Sequence, residues 1–220
     1  MQENEDVLLQ EIIEKWLVEK RVNVKETTFE RYQCVTNILT DYFKGKTVGQ
    51  ITSEEINNFI SERREKGWSS SSLLMAVGII KSITKTAGDE GYLQNFEPKI
   101  CRIKRETKKI KILTAAESKK VNRKLNNTDS SYDIAILIAL NTGLRIGEIC
   151  ALRWKDVDLN RKRLTISGTV HRVKSDDGIH LTKLILSSPK TASSIREIPI
   201  PDFLCSILSE KKSDTDSYVL

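Results

Sequence analysis

Apolar residues recur at helical spacing through about the first ninety residues of the chain. The first predicted helix has an apolar face made of Leu8, Leu9, Ile12, Ile13, Trp16 and Leu17. A second helix, after Thr27–Thr28, places on one face Phe29, Tyr32, Val35, Ile38, Leu39, Tyr42 and Phe43. Thr52 and Glu55 form a predicted capping box that opens a third helix, which Gly67 ends, and the serines at 69–72 open a fourth. Four helices in this length predict a small helical bundle.

The pattern of the second half begins with helices and then changes. Thr114 and Glu117 form another predicted capping box, and the apolar run before Gly143 predicts a buried helix over about residues 131–141. Stretches rich in β-branched residues then predict a three-stranded antiparallel sheet made of RLTISGTVHRV, IHLTKLILSS and REIPIP. Asp176–Asp177–Gly178 is a turn signal between the first two strands, and a helix near 202–212 follows the third.

The helical periodicity fades over residues 94–112, where Pro98 and many lysines accumulate. We therefore predict a helical domain at 1–98, a basic linker at 99–112 and an α+β domain at 113–220. The predicted fold class is mainly α-helical with a small antiparallel sheet.

The net charge of +6 arises from the second half of the chain. Residues 1–105 carry 16 basic and 16 acidic side chains, whereas residues 106–220 carry 20 basic and 14 acidic ones. The stretch 99–124 contains 11 Lys or Arg residues and two Glu residues. Such a block indicates a polyanionic partner, nucleic acid before a membrane, although it also fits a solvated and flexible linker.

Other features of the composition exclude several classes of protein. No apolar run approaches the roughly 20 residues that cross a bilayer, and the acidic start MQENEDVLLQ is unlike a signal peptide. Cys34, Cys101, Cys150 and Cys205 are far apart and form no CxxC pair. We therefore expect reduced thiols in a cytoplasmic protein, with no membrane, no metal site and no cofactor.

The stretch NTGLRIGEICAL at 141–152 holds the first candidate for chemistry. Arg145 follows the apolar run IAILIAL, and an arginine buried there would be costly unless it is paired or faces an anion. Gly143 and Gly147 allow a tight turn, and Glu148 is within helical reach of the guanidinium. A guanidinium held in this way suits phosphate, but a buried Arg–Glu pair that only joins two helices fits as well.

The stretch SSPKTASSIREIPIP holds the second candidate. Lys190 falls where one strand is predicted to end, and Arg196 opens the next strand. A lysine at the tip of a hairpin can donate to a ligand or act as a general acid, while the simpler interpretation is an exposed turn residue.

Taken together, these stretches resemble the tyrosine recombinases, or phage-type integrases, and most closely those of conjugative transposons and prophages. The resemblance rests on TGLRIGEICALRWKDVDL, on a hairpin ending PKT..S.R.IPIP and on the preceding helical domain with its basic linker. It covers essentially the whole chain. It implies a SAM-like core-binding domain followed by the N-terminal part of a catalytic domain, with a function in DNA integration and recombination.

The resemblance also implies a role for each matching position. Arg145 corresponds to the first of two arginines that bind the scissile phosphate, Glu148 to an acidic residue that supports this arginine, and Lys190 to the lysine that protonates the leaving 5′ oxygen. Arg196 is predicted to be structural. Double-stranded DNA is the expected partner, alongside other recombinase subunits bound to it. The predicted DNA contacts are Thr27, Thr28, Arg31, Ser69, Ser70, Ser71, Ser72, Lys104, Lys108, Lys109 and Lys111.

The family further requires a His-x-x-Arg helix and a nucleophilic tyrosine after the hairpin, and the sequence contains no His-x-x-Arg. His171 and His180 are predicted to be surface residues of the hairpin, and Tyr218 precedes the place where the second arginine should appear. We therefore expect a chain that is truncated before the C-terminal catalytic segment and that binds DNA without cleaving it. An N-terminal arm-binding domain is a further segment that it could lack.

Two other functions fit the sequence. One is a non-catalytic DNA-binding regulator that competes with a full-length integrase. The other is a helical protein-interaction module whose basic stretch is only a linker. Affinity for DNA that falls steeply with rising salt would distinguish the DNA-binding functions from the interaction module.

Overall fold

The computed structural model describes residues 7–93, 96–105, 109–125, 130–175, 179–187 and 195–220. The chain divides into two compact units, Met1–Lys109 and Ile110–Leu220. The first unit contains the helical bundle and the second contains both helices and strands.

The first unit consists of the four helices that the apolar periodicity predicts. They are α1 (Leu9–Asn23), α2 (Glu26–Tyr42), α3 (Ser53–Glu65) and α4 (Ser70–Asp89). Their apolar faces meet in one core, whose largest fully buried side chains are Ile12, Trp16, Leu39, Ile56, Phe59, Leu73 and Ile83. The core stabilises this unit because burial removes these side chains from water.

Local signals set the ends of α3 and α4. The Oγ1 of Thr52 accepts a hydrogen bond from the Glu55 N–H at 3.2 Å, but the Glu55 carboxylate pairs with Lys46, so only half of the predicted capping box forms. The Oγ of Ser69 accepts from the Ser72 N–H at 3.2 Å and caps α4. Gly67 adopts a φ of 85° after α3, a backbone conformation that favours glycine.

The residues after α4 return to the surface of α3. The Lys99 N–H donates to Ser53 Oγ at 3.0 Å, and the Asn57 side chain bonds the Lys99 carbonyl at 3.1 Å and the Cys101 N–H at 2.9 Å. Ile100 and Ile103 pack against the core of the first unit. The first residues of the predicted basic linker are therefore held on the helical bundle.

The second unit begins with helices and continues with short strands. Its helices are α5 (Ala115–Leu125), α6 (Ser131–Thr142), α7 (Ile146–Ala151) and α8 (Asp202–Glu210). Its strands are β1 (Val157–Asp158), β2 (Arg163–Ile166), β3 (Thr169–Lys174), β4 (Thr182–Ser187) and β5 (Arg196–Pro199). A separate core forms around Leu137, Ile138, Ile149, Leu164 and Leu204.

The strands pair differently from the predicted sheet. β1, β2 and β5 form a three-stranded antiparallel sheet in the order β1-β2-β5, while β3 and β4 form a separate two-stranded antiparallel sheet. The stretch RLTISGTVHRV is thus two strands, broken at Ser167 and Gly168, and REIPIP pairs with its first half only. The prediction failed because β-branched composition marks strands but does not record their partners. The predicted turn at Asp176–Asp177–Gly178 lies outside the described residues.

The segment after α8 runs back along the residues that follow α7. The Trp154 N–H donates to the Ser217 carbonyl at 3.1 Å, and the Val219 N–H donates to the Leu152 carbonyl at 3.0 Å. The Arg153 guanidinium lies 5.0 Å from the centre of the Tyr218 ring and donates to its hydroxyl at 3.4 Å. These contacts give Tyr218 a packing role in the second unit.

The fold class is mainly helical with small antiparallel sheets, as predicted. All four cysteines are free, with Cys34, Cys101 and Cys150 exposed and Cys205 half-buried. Within the described part of the chain, no helix is both long and apolar enough to span a membrane.

Candidate functional site

The turn between α6 and α7 carries the candidate site. α6 ends at Gly143, which has a φ of 68° and whose N–H donates to the Ala139 carbonyl at 2.9 Å. The chain can turn sharply here because glycine adopts this left-handed conformation without a steric penalty. Leu144 is buried and Arg145 follows as the residue that caps α7.

Gly147 allows this turn to lie directly against β3. A Cβ at this position would lie 2.5 Å from Thr169 Oγ1 and 2.7 Å from the Val170 carbonyl oxygen. Both distances are shorter than any real Cβ contact, so a larger residue would have to push the strand away. The backbone at Gly147 therefore packs closely against β3.

The Arg145 side chain points outward, which does not fit the alternative of a buried Arg–Glu pair that only joins two helices. Its exposed fraction is 82%, and Ile146 next to it is also exposed, whereas Leu144 and Ile149 are buried. The helix that carries the apolar run ends before Arg145, so the side of the chain that faces inward changes between α6 and α7. The candidate cation is thus displayed to solvent.

Glu148 is the acidic centre of the site and is the one charged side chain that is buried among the described residues. Its Oε2 accepts from the Arg145 backbone N–H at 3.0 Å, and its Oε1 accepts from Arg145 Nη1 at 3.3 Å. Arg196, the first residue of β5, donates Nη1 to Oε1 at 3.0 Å and Nη2 to Oε2 at 2.9 Å. The carboxylate is therefore shared by two arginines.

The electrostatics of the site follow from this arrangement. Hydrogen bonds from Arg196 hold the pKa of Glu148 below its usual value, and the Arg145 N–H and both positive charges act in the same direction, while burial opposes them. The same contact raises the pKa of Arg196. With one anionic and two cationic side chains, the cluster has an excess positive charge, and the more exposed of its two cations is Arg145.

The contact between Arg196 and Glu148 is the part of the site that the sequence did not reveal. Arg196 was predicted to be structural, and its guanidinium makes the bidentate contact with Glu148. The two residues are 48 positions apart, and no local pattern links α7 to β5. The other predicted residue of this region, Lys190, lies outside the described residues.

The other predicted DNA contacts form two groups, one around a groove of the first unit and one made of lysines at residues 104–111. The groove is lined by Thr27, Thr28 and Arg31 of α2 and by Ser71 of α4. Trp16 also belongs to its lining. The remaining serines of this group, Ser69, Ser70 and Ser72, lie at the start of α4 beside that groove. Lys104, Lys109 and Lys111 are exposed, and Lys108 lies outside the described residues.

The residues that the structure describes contain no group of three or more His, Cys, Asp or Glu side chains placed to hold a metal ion.

Both units match known protein families. Residues 8–63 match the N-terminal SAM-like domain of phage integrases, and residues 111–217 match the phage integrase family. The two matches fall in the two units and together account for most of the chain. The chain belongs to the phage integrase family of tyrosine recombinases, as the sequence motifs predicted.

Several curated proteins are similar over nearly the whole chain. A tyrosine recombinase XerC-like protein of Caldanaerobacter subterraneus is 30% identical over 95% of this chain and 56% of its own length. The ICEBs1 integrase of Bacillus subtilis is 28% identical over 91% of this chain and 53% of its own length. The chain thus spans about half the length of the curated relatives it matches.

Solved structures share the fold. The Tn1549 transposon integrase in complex with transposon right end DNA matches with a TM-score of 0.77 and 21% identity, over 93% of this chain and 64% of the other. A lambda integrase tetramer bound to a Holliday junction matches with a TM-score of 0.68 and 16% identity, over 96% of this chain and 58% of the other.

Proposed function

We propose that this chain is a DNA-binding part of a site-specific recombinase that acts in DNA integration and recombination. The observation that carries the proposal is the exposure of the Arg145 side chain, which is 82%. The Glu148 carboxylate meanwhile accepts a hydrogen bond from the Arg145 backbone N–H. A planar, permanently charged guanidinium in this position suits the oxygens of a phosphate diester. The family to which the chain belongs and the DNA complexes of the Tn1549 and lambda integrases support this choice of ligand.

The roles proposed for the site residues follow from their chemistry. Arg145 would bind the phosphate at which strands are exchanged and stabilise the negative charge that develops there. Glu148 would orient Arg145 through the bond to its backbone N–H. For Lys190 we retain the proposal, based on the family resemblance, that it protonates the leaving oxygen.

The groove of the first unit supports binding of the same ligand. Thr27, Thr28 and Ser71, which carry hydroxyl groups, and the exposed Arg31 line it together. Hydroxyl and guanidinium groups are common donors to the DNA backbone, which they bind without reading the sequence. The exposed Lys104, Lys109 and Lys111 would add to this charge-dependent attraction.

The first test is DNA affinity over a salt series, measured by filter binding with a short duplex of mixed sequence. Arg145→Ala should lower the affinity roughly tenfold or more and reduce the slope of log affinity against log salt by about 0.9, the effect of losing one phosphate contact. The matched control is Arg161→Ala, which removes an arginine that is 69% exposed from the same unit. Equal slopes for Arg145→Ala and the unmodified chain would contradict the proposal.

For the 220-residue polypeptide alone, we further propose binding without cleavage. The sequence of these residues has no His-x-x-Arg motif, and the hydroxyl of its Tyr218 already accepts a bond from Arg153. A nicked duplex that traps a covalent protein–DNA intermediate tests this proposal. A covalent adduct formed by this polypeptide would contradict it.

The exposed Arg145 and the exposed lysines at 104, 109 and 111 also fit a second candidate function, a non-catalytic competitor of full-length integrases. Such a competitor would occupy recombination sites, and other recombinase subunits on the same DNA would be its neighbours. Adding the chain to an active recombinase of the family should inhibit strand exchange on its own site. Full activity at saturating occupancy of that DNA would exclude this function.

A further inference from the structure

We propose that Arg196 is a positioning residue, which neutralises Glu148 so that the Arg145 guanidinium remains available to a DNA phosphate. This inference rests on the proposed function, since it assumes that Arg145 binds phosphate. It assigns to β5 a part in ligand binding although Arg196 itself would not touch the DNA.

The first step is the geometry of the two arginines around the carboxylate. Arg196 uses two guanidinium N–H groups, one on each oxygen of Glu148, at 3.0 and 2.9 Å. The Arg145 guanidinium uses a single, longer contact of 3.3 Å. Parallel N–H···O bonds of the first kind are the stronger arrangement between a guanidinium and a carboxylate. Glu148 is therefore bound mainly by Arg196.

The second step is the difference in exposure. The side chain of Glu148 is 10% exposed and that of Arg196 is 34% exposed, whereas that of Arg145 is 82% exposed. A buried carboxylate requires a compensating charge, because desolvation of an unpaired anion is costly. Arg196 supplies this compensation from the protein side. Arg145 thus keeps most of its donor groups in solvent, where an incoming phosphate can reach them.

The third step considers the site without Arg196. Glu148 would still be buried, and the other guanidinium in contact with it in the described structure is that of Arg145. We expect the Arg145 side chain to turn toward the Glu148 carboxylate and to form the bidentate contact that Arg196 makes in the unmodified chain. The excess positive charge of the cluster would then be lost, and with it the attraction for a phosphate.

The test combines single and double substitutions in the 220-residue chain and measures DNA affinity over a salt series. Arg196→Ala should weaken binding about as much as Arg145→Ala, roughly tenfold or more, and should reduce the salt slope by about 0.9. In Arg196→Ala combined with Glu148→Gln, the salt slope should return to that of the unmodified chain. The neutral amide no longer competes with the phosphate for Arg145.

Further variants separate this role from a purely structural one. Arg196→Lys keeps the charge and should retain most of the salt slope even where it lowers stability. Arg163→Ala is the matched control, because Arg163 forms another Arg–Glu pair on the same sheet, 3.3 Å from Glu197. It should leave the salt slope unchanged. Urea unfolding of every variant establishes that each one is folded when DNA binding is measured.

The possible results are distinct. An unchanged slope in Arg196→Ala, together with a reduced slope in Arg145→Ala, overturns the positioning role and leaves the proposed function in place. A reduced slope that Glu148→Gln does not restore indicates that Arg196 contacts the DNA directly, which also overturns it. An unchanged slope in Arg145→Ala overturns both proposals.

Discussion

Arg145 and Gly147 lie two residues apart and face opposite sides of one turn. The Arg145 side chain faces solvent, and Gly147 faces β3. Arg145 is 82% exposed, whereas a side chain at Gly147 would collide with β3. The outward position of the arginine thus depends on the inward contact of the glycine. At the scale of single residues, the site depends on the lack of a side chain at Gly147 as much as on the presence of the Arg145 side chain.

Gly147→Ala should destabilise the protein by roughly 1–3 kcal/mol, because the added Cβ overlaps backbone and side-chain atoms of β3. The matched control is Gly78→Ala in α4, where a Cβ would meet no atom within 4 Å. This change should stabilise the chain by about 0.5–1 kcal/mol, since alanine is the better helix former. Urea unfolding measures both. A neutral Gly147→Ala would show that the turn does not rely on this close approach.

Glu148 should make stability depend on pH. Its pKa is lower in the folded protein, chiefly because of the hydrogen bonds from Arg196, so its contribution is present above the usual value of 4.5 and is lost as pH falls through the folded value. Glu148→Gln should therefore reduce the loss of unfolding free energy on acidification. Urea unfolding between neutral and acidic pH measures the difference.

The control for this pH dependence is Glu54→Gln, which removes an exposed carboxylate from the first turn of α3. It should leave the acid-induced loss of stability close to that of the unmodified protein. Glu62 and Asp216 also have lowered pKa values, so part of the loss persists in every variant. Identical pH profiles for Glu148→Gln and the unmodified protein would contradict the assigned contacts.

At the scale of elements, the sequence predicted the positions of the helices better than the pairing of the strands. The predicted positions of α1 to α4 are confirmed because apolar spacing and caps such as Ser69 are local signals. The pairing of β2 with β5 was missed because it joins residues that are 30 to 36 positions apart in the sequence. The contact between Arg196 and Glu148 was missed for the same reason, although NTGLRIGE itself marked the site.

The cap of α4 provides a prediction at this scale. Ser69→Ala should destabilise the first unit by about 1 kcal/mol, because the Ser72 N–H loses the oxygen that accepts its hydrogen bond. Ser71→Ala is the matched control from the same run of serines, and it should change the unfolding free energy by less than about 0.5 kcal/mol. Thermal unfolding measures both variants. Equal effects would mean that the Ser69 bond contributes nothing specific.

At the scale of the whole molecule, each unit has its own hydrophobic core. Leu39 belongs to the core of the first unit and Leu204 to that of the second. The charges are also divided unequally, since residues 1–109 carry 18 basic and 17 acidic side chains and residues 110–220 carry 18 basic and 13 acidic ones. Each unit therefore has its own hydrophobic core and its own net charge.

Two core substitutions test this division. Leu39→Ala and Leu204→Ala each remove a side chain that is no more than 1% exposed, and each should cost roughly 2–5 kcal/mol. Hydrogen exchange should detect the loss of protection in the substituted unit and unchanged protection in the other. Val22→Ala, at a position that is 86% exposed, is the control without effect. Equal loss of protection in both units would contradict two separate cores.

The free cysteines also make the chain suitable for distance spectroscopy. Cys101 lies in the segment held on α3 and Cys150 lies in α7, so one exposed thiol is available in each unit. With Cys34 and Cys205 replaced by serine, nitroxide or fluorescent labels on this natural pair would record the separation of the two units. Comparing their signal with and without a DNA duplex would test whether the separation of the two units changes in solution when DNA is added.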